Sequence, residues 1–181
     1  MNLILQQRNA WRRTMYLLML PALIVTAPAS FTRAQMSLEN AILRRAAATI
    51  RKMEPSWKFT SGICNCPPLM KEQVGVAVGS WQQQSVDASQ PRTILVRIHR
   101  IENAEAAAQW LDRHALGRLP EGWTIGTYDF ADGATMSQHA EPTRFELCFR
   151  KGQFLGFVSA ESKADVEWFG RHVFAEVANS Q

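Results

Sequence analysis

Apolar and polar positions alternate most regularly near the carboxyl end of the chain. Phe145, Leu147 and Phe149 interleave with Arg144, Glu146, Cys148 and Arg150, the period of a half-buried strand. Lys151-Gly152 supplies a tight reversal, since glycine reaches positive φ without a steric penalty. Residues 153–159 return as a second strand. Ser162 then caps a helix, with Asp165 three residues on as a variant capping box. Val166, Phe169, Val173 and Val177 form its apolar stripe, broadened by Phe174, and Gly170 within the stripe allows a close approach to a sheet. Trp168 projects opposite that stripe, beside Arg171.

The same patterning places the earlier elements. Leu38, Ile42, Ala46, Ile50 and Met53 share one side of a helix capped by Ser37 and ended by Pro55. Residues 57–70 are irregular, because Pro67-Pro68 forbids helix and stiffens the exit. Val74, Val76 and Val78 alternate with Gly75, Ala77 and Gly79 in a strand whose small side invites close packing. Ile94, Val96 and Ile98 alternate with Leu95, Arg97 and His99 in the next. Asn103 caps a helix to about Leu116, with Ala104, Ala107, Leu111 and His114 on one face and Gly117 as its stop. Residues 123–130 and 134–139 give two further strands around an Asp132-Gly133 turn. Strands in consecutive hairpins with helices between and after them predict a single α+β domain over residues 35–181. It has a largely antiparallel sheet of five or six strands and two or three helices. The helices are expected on one face, with the 57–68 loop touching the other.

The amino terminus departs from this pattern. Arg8, Arg12 and Arg13 precede a short apolar run, and small residues follow at Ala27-Pro28-Ala29 and Thr32-Arg33-Ala34. These are the zones of an export signal over residues 1–34, with cleavage after Ala34 or Ala29. The apolar run falls short of the ~20 residues that span a bilayer, and Pro21 interrupts it, so no stable span remains after cleavage. Arg12-Arg13 matches a twin-arginine signal only loosely, which favours the ordinary secretory route. The expected location is periplasmic or extracellular.

Removing this leader changes the electrostatics. It holds four arginines and no acid, so the 20 basic and 16 acidic residues of the whole chain become 16 and 16 from Gln35 onward. A neutral mature chain without clustered positive charge is not expected to bind nucleic acid.

Candidate chemistry is sparse. Cys64, Cys66 and Cys148 are the three cysteines, and an oxidising compartment favours a disulfide among them. Linking Cys64 or Cys66 to Cys148 would staple the loop to the hairpin, whereas Cys64–Cys66 would close a small strained ring. Cys64-Asn65-Cys66 also admits a thiol-redox or metal-binding reading. The four histidines lack ligand spacing, however, and Pro67-Pro68 replaces the helix start that activates such thiols. His114 near a helix end is expected to favour its cationic form. No carboxylate pair, nucleophile motif or phosphate loop is present, so neither enzyme nor cofactor is indicated.

Two binding candidates remain. Trp168 with Arg171 forms either a local cation–π pair or a partner contact. A sheet face bearing Trp81, Leu95, Arg97, His99, Arg144, Glu146 and Cys148 is either solvated or a ligand groove. The sequence therefore points to an exported, non-catalytic binding or accessory module of unknown protein or small-molecule ligand. A thiol or metal protein built on Cys64 and Cys66 is the alternative.

Overall fold

In the computed structural model, the order in which the strands pair differs from their order in the chain. Residues 37–62, 68–83, 91–117 and 121–181 are described, so the leader and Cys64-Asn65-Cys66 lie outside the described residues. The elements are α1 (Leu38–Met53), β1 (Lys58–Gly62), β2 (Gln73–Gln83), β3 (Arg92–Ile101), α2 (Ala104–Leu116), β4 (Trp123–Tyr128), β5 (Ala134–His139), β6 (Arg144–Lys151), β7 (Phe154–Ala160) and α3 (Lys163–Ala178). The sheet runs β1-β2-β3-β7-β6-β5-β4, and every neighbouring pair is antiparallel. Two meanders thus meet at the β3–β7 pair, giving a single α+β domain with three helices among the described residues.

The caps follow from their residue types. The backbone N–H of Asn40, Ala106 and Asp165 donates to Ser37, Asn103 and Ser162 respectively, each such bond being worth about 1 kcal/mol. Gly117 ends α2 with φ −70°, so it stops the helix without using its left-handed freedom. The β6–β7 reversal falls one residue later than expected, on Gly152 and Gln153, with Gly152 at φ +53°.

The first face of the sheet carries α1 over β1–β3 and α3 over β6–β7, and the two helices also touch. Glu176 of α3 bridges them, accepting from Arg45 at 3.2 Å and Thr49 at 3.1 Å. Beneath them Phe169 meets Trp57 and Trp81 edge-on, at ring separations of 5.0 and 5.5 Å. Emptying such a site by Phe169→Ala would cost roughly 3–5 kcal/mol. Gly170 does permit close approach, since a Cβ there would lie 2.5 Å from Leu147 Cδ2.

The structure corrects three expectations and shows which side of β2 meets the core. The sheet has seven strands rather than five or six, the addition being the edge strand β1, whose Lys-Phe-Thr-Ser-Gly sequence is mostly exposed and hides the alternation. Helices cover both faces, because the β3-to-β4 connection carries α2 across the second face. In β2 the small side faces the core and the valines face away, with Val74 53% exposed. Gly75 and Gly79 sit where a Cβ would strike the Glu39 carboxylate and the Phe59 ring respectively. Trp81, in phase with them, packs in the first-face core rather than on the polar face.

Candidate binding face

The register of the strands arranges the second face in rows. Val78, Arg97, Phe157, Cys148 and Thr135 form one row; Ser80, Leu95, Ser159, Glu146 and Ser137 form the next. Arg144 and His139 lie beyond it. These rows divide into a covered end and an open end.

At the covered end, Ala107 and Leu111 of α2 pack onto Ile101, Cys148, Leu155 and Phe157, with Trp110, Leu69 and Met70 closing the margin. The sequence carries a signal for this second cluster. Strand β7 is buried at all seven positions, as a strand covered on both faces must be.

Two imidazoles flank Phe157. His99 is 1% exposed. Gln73 Oε1 already accepts from Leu69 N–H at 2.9 Å, so the 2.9 Å contact with His99 places the imidazole proton on Nδ1. Burial, with the neighbouring Arg97 cation, lowers the His99 pKa to about 4. His114 stacks on Trp110 at 4.8 Å, and burial lowers its pKa too. The expected cationic His114 is therefore corrected, since desolvation by burial outweighs the opposing pull of the Glu146 carboxylate. Among the described residues, His99 Nε2, His114 Nε2 and Thr135 Oγ1 are buried without a partner.

Cys148 is a free, fully buried cysteine. The expected staple to Cys148 is not formed, and Ala107 and Leu111 of α2 pack over this position. Burial first, then the nearby Glu146 carboxylate, pushes its thiol well above the usual range. Among the described residues no three His, Cys, Asp or Glu side chains are grouped to hold a metal.

Arg97 marks the seam between the two ends. Its guanidinium lies 4.9 Å from the centre of the Phe157 ring and 3.1 Å from Glu146 Oε2. Beyond it, α2 stops short and the face opens into a cavity of about 260 Å³, lined by Thr93, Leu95, Pro142, Thr143, Arg144, Ser159, Ala160 and Glu161. Arg144 donates to Ser159 Oγ at 3.2 Å on its floor.

Two further cavities lie elsewhere. One of about 370 Å³ is lined by Leu69, Met70, Trp110, Arg113 and His114. The other, about 260 Å³, borders Trp57, Arg92, Asp165 and Trp168. Trp168 is therefore half-buried rather than exposed, and its ring meets Phe169 and His172 at 5.0 and 4.4 Å. Among the described residues the cation–π contacts are Arg92 over Trp57 and Arg97 over Phe157, so Trp168 does not stack on Arg171.

No family model matches the chain, and neither curated proteins nor solved structures give a match.

Proposed function

We propose that this chain is an exported, non-catalytic binding module that takes a small ligand on the open end of its second sheet face. One observation carries the reading. Helix α2 covers one end of that face and leaves the other as a cavity mixing Leu95 and Pro142 with Arg144 and Ser159. Ligand sites combine apolar walls with a few fixed polar groups in this way. The strands that hold those groups are central, so the floor is pre-formed and binding need order little of it.

Export rests on the arginine-led apolar run and small-residue cleavage sites of the first 34 residues. The intact mass of protein from its native source is expected to lack 29 or 34 residues. The thiol or metal alternative gains nothing from Cys148, whose burial keeps it protonated and out of reach.

A thermal-shift screen of small molecules tests the binding reading. A stabilising compound should lose its effect on Arg144→Ala, an exposed substitution that leaves the fold intact. Stabilisation retained undiminished by that variant would place the site elsewhere.

A further inference from the structure

The open cavity contains one cation and one anion that are not paired with each other. Arg144 and Glu161 both line it, and among the described residues neither belongs to an ion pair. The neighbouring charges are already matched: Arg97 holds Glu146, Arg92 holds Asp165, and Lys163 holds Glu167. Two opposite charges at one mouth, with their neighbours neutralised, present a dipole rather than a net field. A purely anionic ligand would satisfy Arg144 and be repelled by Glu161; a purely cationic one would face the reverse.

The floor adds direction to this dipole. Ser159 is 4% exposed and its hydroxyl oxygen accepts from Arg144. Its hydroxyl still carries a proton that can rotate to donate into the cavity. Arg144 and Ser159 together therefore offer donors to one acceptor group, and a carboxylate takes both in charge-assisted geometry. Leu95 and Pro142 supply an apolar wall beside it. The volume, about 260 Å³, lies below the roughly 300–1,000 Å³ of pockets for drug-sized molecules. Taking the binding-module reading as its basis, we infer that the ligand is a free α-amino acid with an apolar side chain. Its carboxylate sits on Arg144 and Ser159, its ammonium on Glu161, and its side chain against Leu95.

Three probes of one carbon skeleton separate the terms: L-leucine, 4-methylpentanoate, which lacks the ammonium, and 3-methylbutylamine, which lacks the carboxylate. Each is titrated into the full-length protein and followed by amide chemical shifts. L-leucine should shift Leu95, Thr143 and Ser159 and bind at least about tenfold more tightly than either analogue, one charge-assisted contact being worth that much. Glu161→Gln should bring L-leucine to the level of 4-methylpentanoate, and Arg144→Gln to the level of 3-methylbutylamine, while the rest of the spectrum stays folded. Equal binding by 4-methylpentanoate at the same amides would overturn the amino-acid inference and leave the binding face standing. Shifts at the Trp110–His114 cavity, with none at Leu95 or Ser159 from any probe, would overturn both.

Discussion

Arg97 and Glu146 meet at 3.1 Å across the β3–β7–β6 rows, joining the covered and open ends of the second face. Both side chains are partly withdrawn from water, and Arg97 also lies over Phe157. Arg97→Ala should therefore destabilise by about 1–2 kcal/mol, read from urea unfolding, which exceeds the 0–1 kcal/mol of a surface pair. The same variant should raise the His99 pKa, because Arg97 helps hold it down. Titration of the His99 ring by NMR measures this, and an unmoved pKa would deny the coupling.

A second ion pair is more deeply placed. Glu39 of α1 is fully buried and its Oε1 accepts from Arg100 Nε at 2.6 Å, while Oε2 is unpartnered. Arg100→Ala strands this carboxylate and is expected to cost about 3–5 kcal/mol. Gly75→Ala pushes a methyl into the same carboxylate and should cost about 1–3 kcal/mol. That penalty should shrink in a Glu39→Ala background, a coupling measured by a double-mutant cycle.

Acid should weaken the fold through His99. Its folded pKa is about 4 against an ordinary 6.5, so unfolding takes up a proton between those values. The stability held by neutral His99 is complete above pH 6.5, is lost as pH falls towards 4, and amounts to roughly 3 kcal/mol. The facing groups are Gln73, Arg97 and Phe157. His114 and His172, also lowered by burial, act with the same sign. Denaturation curves at pH 7.5 and pH 4.5 measure the loss, and His99→Gln should flatten it.

Cys148 should behave as a core side chain. Its buried, protonated thiol should resist alkylation in the native protein and react once urea unfolds it, with the modified peptide located by mass spectrometry. Rapid native alkylation at Cys148 would contradict its burial.

The elements were legible where one pattern had one cause. Ser37, Asn103 and Ser162 cap the helices expected from them, and Ala134–His139 is the strand its turn signal implied. Sidedness was harder to read. In β2 the β-branched valines mark a strand, but Gly75, Ala77 and Gly79 face the helices because Glu39 and Phe59 come too close for larger groups. On the second face Arg97, His99, Glu146 and Cys148 look solvated in one dimension. Only the fold sets Leu155 and Phe157 between them and lays α2 over Cys148. The cavity was hidden for the same reason, since Leu95, Arg144 and Ser159 become neighbours only through β3–β7–β6 pairing.

Crystals soaked with a library of small polar fragments, amino acids included, test the binding face most directly. Density is expected to gather in the cavity of Leu95, Arg144 and Ser159, with Arg144 in contact. Density gathered instead at Trp110 and His114, or at Trp57 and Trp168, with the Arg144 cavity left to solvent, would contradict it.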